Sequence, residues 1–246
     1  MSYPDYYTKE YTVDFTNSDC FGICKPSDLM LFMQDAATRD SANMHLSREE
    51  LISNIGGFWM LVRLKYDISR PLYIGQAISV KTRFAGNKGP LFYREYVFSD
   101  EDKAIGRATS AWVIADVNSG KPFRPSDIEM CSEITFPIGS EVETLQKLSC
   151  SAKAFSSSQF TVPYSMLDIN AHLNNAKTAD VVCDAIHFEK MSGKYVSSMQ
   201  ICFLNQSFAG ETLEIKCAKS RDNEQYVEGG ADGAVHFNAA VTLSDI

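Results

Sequence analysis

This sequence predicts an α+β fold of two tandem units, each a long helix packed on an antiparallel sheet, and three observations lead there. The first is an internal repeat. Shifted by 149 residues, Tyr11-Thr12-Val13 falls on Phe160-Thr161-Val162, Phe15 on Tyr164, Asp19 on Asp168, and Asp35-Ala36 on Asp184-Ala185. Beyond the helix the shift becomes 135, and Ile74-Gly75-Gln76-Ala77-Ile78-Ser79-Val80-Lys81 overlays Ala209-Gly210-Glu211-Thr212-Leu213-Glu214-Ile215-Lys216. The second is periodicity: in each half a strand-like run precedes a helical apolar stripe, and four more strand-like runs follow. The third is punctuation. Residues 118–152 carry Asn118-Ser119-Gly120, Pro122, Arg124-Pro125, Pro137 and Gly139, a composition suited to connection. The sequence thus divides into a first domain at 1–130, a linker at 131–152 and a second domain at 153–246.

Taken in order, residues 9–16 alternate and are rich in β-branched and aromatic types, so they read as a strand. Pro26-Ser27 opens a helix whose buried stripe is Leu29, Phe32, Met33, Ala36 and Ala37. A shorter helix is expected over Ser47 to Ser53, ended by Gly56-Gly57. Strands follow at Phe58–Ile68, Ala77–Phe84, Phe92–Phe98 and Ala104–Ala115. The second half repeats this plan without the short helix. It has a strand from Gln159 to Tyr164, a helix to about Glu189, and strands near Ser197–Leu204, Thr212–Ala218, Gln225–Gly229 and Ala234–Thr242.

Composition narrows the class. With 45% apolar and 22% charged residues the chain has the makings of an ordinary globular core. No stretch approaches eighteen uninterrupted apolar residues, so no spanning helix is expected. A net charge of −8 argues against a general nucleic-acid binder. The start, Met1-Ser2-Tyr3-Pro4-Asp5, lacks the basic-then-apolar plan of a signal peptide. The seven cysteines lack paired CxxC spacing, which fits reduced thiols in a cytoplasmic protein without a metal site.

The chemistry-bearing stretch is Asp168-Ile169-Asn170-Ala171-His172-Leu173-Asn174-Asn175. Asp168, Asn170 and His172 occupy alternate positions, so an extended backbone would point an acid, an amide and an imidazole to one side. Ile169 and Leu173 would then face the packing. A helical pattern begins directly afterwards, with Asn174 or Asn175 as its cap, and its free N–H groups suit a developing oxyanion. Turn chemistry alone could explain such a cluster. The repeat argues otherwise: Asp168 has a counterpart in Asp19, but Asn170 and His172 fall on Phe21 and Ile23. A purely structural need would show in both halves.

These residues resemble the acyl-ACP thioesterase family, whose members carry two fused hotdog domains. Asp168, Asn170 and His172 fit its D-x-N-x-H motif, followed by Asn174-Asn175-x-Lys177. Met33-Gln34-Asp35-Ala36-Ala37 resembles its L-Q-E-A-A helix, Phe58-Trp59-Met60-Leu61-Val62-Arg63-Leu64 its W-x-L-x-R strand, and Ile68-Ser69-Arg70-Pro71 its R-x-P turn. The resemblance implies two tandem hotdog domains and hydrolysis of a fatty acyl thioester on acyl carrier protein, without a cofactor. A departure lies at Phe203-Leu204-Asn205-Gln206-Ser207, where Gln206 stands for the family's glutamate and Ser207 for its cysteine.

The expected site is therefore Asp168, Asn170 and His172, with Gln206 in the glutamate's place. Asn174 and Asn175 mark the oxyanion end of the helix, and Trp59 and Met60 are candidates to line an acyl-binding surface. Spacing leaves open whether Asp168 or His172 takes the proton. Asp184, deep in the helix and matched by Asp35, reads as structural, and His45, His187 and His236 as packing or surface residues. The partner implied is acyl carrier protein, with no nucleic acid, no membrane span and a homodimer as the candidate assembly. The competing expectations are a non-catalytic acyl-binding hotdog protein, favoured by Gln206, and an acyl-CoA thioesterase.

Overall fold

The computed structural model describes residues 6–101, 103–128, 142–150, 152, 155–221 and 223–246. Of the linker expected over 131–152, residues 131–141 and 151 lie outside them. Among the described residues each half supplies one longer helix, one short helix and five strands. The first half contains β1 (Tyr7–Thr12), α1 (Pro26–Asn43), α2 (Arg48–Ile55), β2 (Gly57–Ile68), β3 (Ala77–Lys88), β4 (Leu91–Asp100) and β5 (Lys103–Asp116). Its strands lie in the order β1-β3-β4-β5-β2. The second half contains β6 (Ser156–Thr161), α3 (Asn175–Asp184), α4 (Phe188–Met191), β7 (Lys194–Phe203), β8 (Thr212–Arg221), β9 (Glu224–Ala231) and β10 (Ala234–Asp245), ordered β7-β10-β9-β8-β6. Among the described residues no helix is long and apolar enough to cross a membrane.

The chain folds into two compact units. One takes the described residues of Met1–Tyr11, Phe32–Leu64 and Ala77–Leu145; the other takes those of Thr12–Leu31, Lys65–Gln76 and Gln146–Ile246. In the first, Met33, Ala36 and Ala37 of α1 are buried, as the stripe predicts. The Tyr11 and Phe32 rings stack at 4.6 Å. Asp35 accepts from Lys9 Nζ at 2.5 Å and from Tyr11 Oη at 2.6 Å. Burial alone would raise the Asp35 carboxyl, but the hydrogen bonds from Lys9, Tyr11 and Arg39 bring it below its ordinary value. Deeper in, Asp40 pairs with Arg94, whose guanidinium also reaches Thr82 Oγ1 at 3.3 Å. The short helix is held by a reciprocal box: Ser47 Oγ accepts from Glu50 N–H, and Glu50 Oε2 accepts from Ser47 N–H. Gly56, in the left-handed region at φ 63°, closes it.

In the second unit α3 buries Ala176, Thr178, Ala179, Val181 and Val182, and the sheet contributes Leu213, Ile215, Val227, Ala239 and Val241. The helix is shorter than its pattern predicts. It ends at Asp184, and a separate turn, α4, begins at Phe188. The β9–β10 ladder slips between Val235 and Phe237, so His236 is the extra residue of a bulge. The strand opposite is Gly229-Gly230. A Cβ on Gly230 would come 2.1 Å from the Ala234 carbonyl oxygen, so only glycine permits this approach. The β4–β5 ladder slips at the matching place, leaving Ile105 as its extra residue.

Because Arg94 is buried, removing its partner leaves a charge without compensation. Asp40→Ala is expected to lower the unfolding free energy by about 3 to 5 kcal/mol in urea denaturation. A loss below about 1 kcal/mol would mean that solvent reaches the guanidinium after all.

Candidate active site

Two copies of one turn lie in the second unit, and the hydrogen bonds around their aspartates' Oδ1 and backbone N–H match. In the first, Asp19 Oδ1 accepts from the N–H groups of Phe21 (2.9 Å) and Ile23 (3.0 Å). In the second, Asp168 Oδ1 accepts from Asn170 (2.8 Å) and His172 (3.2 Å). The backbone agrees: Asp19 N–H donates to Ile23 O at 2.8 Å, and Asp168 N–H to His172 O at 2.8 Å. Both turns are pinned from outside, by Cys24 N–H to Leu72 O and by Leu173 N–H to Ser207 O, both 2.8 Å, and the first also by Ile74 N–H to Gly22 O at 3.2 Å. Each also makes an isolated β-bridge to the loop that follows a strand, Ile23 to Tyr73 and His172 to Phe208. A carboxylate satisfying the inner N–H groups of its own turn is a recurrent role for Asp.

This geometry corrects the extended-strand expectation. Asp168 to His172 reverses direction, with Ala171 in the left-handed region at φ 61° and its N–H on Asp168 O at 3.0 Å. The alternation of polar residues comes from a turn, so Ile169 is 83% exposed where packing was expected. Leu173 is buried as expected.

What differs between the turns is what their side chains do. Phe21 stacks on Phe188, with centroids 5.5 Å apart, and Ile23 is buried. Their counterparts are polar. Asn170 is exposed, and its amide nitrogen lies 3.5 Å from Asp168 Oδ2. The His172 ring is half-buried, edge-on to Phe208 with centroids 5.0 Å apart. Thus Asp168, Asn170 and His172 share one rigid turn. The chain then enters α3, where Asn174 caps the helix by accepting from Ala176 N–H at 2.8 Å. That choice settles which asparagine caps, and it puts Asn175 at the first helical position.

The other candidates are placed as follows. Gln206 is exposed, one residue before the Ser207 carbonyl that receives Leu173 N–H. Trp59 belongs to the first unit. Its indole donates to Leu46 O at 3.0 Å, and its ring meets Phe92 edge-on in the cluster of Leu46, Leu51, Ile114 and Ile128. Met60 follows it on β2, so the two side chains point to opposite sheet faces and do not form one wall. Burial, and then the neighbouring Asp180, push the Asp184 carboxyl up. It ends a helix about 15 Å long, far from the turn. A polar cleft of about 640 Å³ lined by Tyr195, Ser197, Gln200 and Glu224 contains none of these residues. Among the described residues no group of His, Cys, Asp and Glu could hold a metal ion.

One cluster escaped the sequence reading. Ser207 Oγ and His236 Nδ1 share a hydrogen bond of 2.8 Å, both residues being buried, and His236 Nε2 lies 3.9 Å from Glu211 Oε1. His236 read as a packing or surface residue because its partner is 29 positions away. The repeat carried the signal: Ser207 overlays Leu72.

Comparison with known proteins gives a consistent picture. The acyl-ACP thioesterase N-terminal domain model matches residues 4–134, and the C-terminal domain model matches 149–240. No curated protein sequence matches significantly. The fold is similar to an acyl-ACP thioesterase from Bacteroides thetaiotaomicron, at TM-score 0.86 and 21% identity over 98% of both chains. It is similar also to the 12:0-ACP thioesterase from Umbellularia californica, at TM-score 0.84 and 14% identity over 100% of both chains. A putative oleoyl thioesterase from Lactobacillus plantarum gives TM-score 0.82 at 15% identity, over 98% of this chain and 96% of that one.

If the turns are structurally equivalent, Asp19→Ala and Asp168→Ala should each cost about 1 to 2 kcal/mol, the scale of hydrogen bonds to a charged acceptor at a partly exposed site. Thermal melting of the two variants compares them directly. A loss confined to one of them would break the equivalence.

Proposed function

The chain belongs to the acyl-ACP thioesterase family, and from that premise we propose how its own residues carry out the hydrolysis. It is a thioester hydrolase acting on acyl groups held by acyl carrier protein. The observation that carries the site assignment is the pair of matching turns: the same carboxylate scaffold supports packing side chains once, and an amide with an imidazole once.

In this reading His172 is the general base. Asp168 Oδ1 is already engaged by two backbone N–H groups, just as Asp19 Oδ1 is. Asp168 therefore shapes the turn, while the His172 imidazole is the group assigned to accept the proton. His172 draws a proton from water as the water oxygen attacks the thioester carbonyl carbon. The negative charge moves to the carbonyl oxygen. The Asn175 and Lys177 N–H groups, in the open first turn of α3, and the Asn170 amide are suited to stabilise it. When the tetrahedral species collapses, the carbon–sulfur bond breaks and the proton passes from His172 to the departing thiolate. The products are a free fatty acid and the carrier's thiol.

Gln206 fits this scheme without being a base. A neutral amide cannot accept a proton at neutral pH, but it can hydrogen-bond water or substrate. Binding without turnover, the competing expectation that rested on Gln206, is not favoured, because the whole D-x-N-x-H turn is formed.

Two measurements test the scheme. His172→Ala is expected to lower kcat on acyl-ACP by about 10² to 10⁴ while KM changes little. Turnover like that of the native protein would remove His172 from the mechanism. The native protein should release free acid unaided, and Gln206→Glu should alter its rate only modestly. A native protein that is inert until Gln206→Glu is introduced would make the family's glutamate position the essential base.

A further inference from the structure

We propose that Ser207, His236 and Glu211 form a positioning chain that holds the segment on which the D-x-N-x-H turn is hung. The proposal rests on the hydrolytic reading of that turn, and it assigns a role to three residues outside the motif.

The connections run in one direction. The His236 carbonyl accepts from Leu204 N–H (2.8 Å) and Asn205 N–H (3.0 Å), and Asn205 Nδ2 donates to Val235 O at 2.7 Å. The His236 ring then takes hold of Ser207 Oγ at 2.8 Å. One bulged residue thus grips the 204–207 segment at both ends, by backbone and by side chain. The Ser207 carbonyl receives Leu173 N–H, and Phe208 bridges His172. Beyond the ring, Glu211 Oε2 accepts from Phe208 N–H at 2.9 Å, while its Oε1 lies 3.9 Å from His236 Nε2. Moving the Ser207 peptide would move the acceptor on which the turn hangs. Ser207 itself is only 5% exposed, so its hydroxyl points to anchoring rather than attack on substrate.

The repeat shows that folding does not demand this polarity. At the matching positions the first half has Leu72 for Ser207 and, at the matching bulge, Ile105 for His236, both buried. Gln76 stands for Glu211 and makes the same turn bond, accepting from Tyr73 N–H at 2.7 Å. The first half carries an apolar residue at each of the two positions; the second carries a hydrogen-bonded Ser–His pair beside a carboxylate. Buried polar groups cost desolvation, yet when fully satisfied they fix one arrangement where apolar packing tolerates several. The polar version occurs in the half that carries Asn170 and His172.

The test transplants the first half's solution. Ser207→Leu/His236→Ile, His236→Asn and the native protein are compared for kcat and KM on acyl-ACP, and for amide hydrogen exchange at Leu173. Asparagine carries an amide near the place of Nδ1, so it retains the bond to Ser207 without the ring. For the double variant we expect kcat to fall about 10-fold or more with KM within about twofold, as for a displaced reacting group. Its Leu173 amide should exchange faster, and His236→Asn should recover most of both properties. A double variant with native kcat and native Leu173 protection overturns the proposal, as does His236→Asn behaving like the double variant. If the double variant does not fold, Ser207→Ala replaces it under the same criteria. A native protein that hydrolyses no acyl thioester would defeat the hydrolytic reading instead, and exchange at Leu173 would then judge the positioning chain alone.

Discussion

A tight reversal of the chain leaves inward-pointing N–H groups that no strand or helix can satisfy, and in this protein an aspartate satisfies them. Asp19 and Asp168 each gather two backbone N–H groups onto one carboxylate oxygen. The same reversal lets the chain pass from a 3-10 turn (Phe15–Asn17 and Tyr164–Met166) through a short bridge into a helix start. Without that acceptor these partly exposed donors would have to turn to solvent, and the turn that leads into α1 and α3 would lose its internal hydrogen bonds. The same structural requirement is met in both halves, and only the second turn carries an amide and an imidazole on it.

Duplication explains how the chemistry is accommodated. In the first half the turn's side chains contribute packing, with Phe21 on Phe188 and Ile23 buried. In the second, the equivalent positions lose that apolar burial and carry an amide and an imidazole. The same exchange recurs where Leu72 and Ile105 give way to Ser207 and His236. Stability drawn from one half leaves the other free to hold polar groups that a single small domain could less easily carry.

The sequence made the architecture legible because strand and helix periods are strong signals over long runs. Among the described residues the strands and long helices overlap their expected runs, although β1 ends at Thr12 and β6 at Thr161, before the expected residue 16 and Tyr164, and the repeat could be aligned without gaps inside each block. The turn was harder. Asp168-x-Asn170-x-His172 mimics the two-residue period of a strand, and only the left-handed Ala171 breaks it. Nothing in a side-chain pattern announces a positive φ at alanine. The end of α3 was also hidden, since apolar spacing continues through Ile186 although the backbone stops at Asp184. The Ser207–His236 bond was out of reach for another reason. It joins residues on two elements, and its geometry depends on a bulge that offsets the register between Val235 and Phe237.

The left-handed residue differs between the two turns. The first uses Gly22 at φ 75°, while the second uses Ala171 at φ 61°. Alanine is strained there by about 1 kcal/mol or more, whereas glycine is not. Yet alanine also samples far fewer backbone states than glycine when the turn is open. The second turn therefore trades enthalpic comfort for a narrower ensemble. Its local openings reach a smaller set of conformations, and the turn that carries His172 re-forms with less entropy to lose.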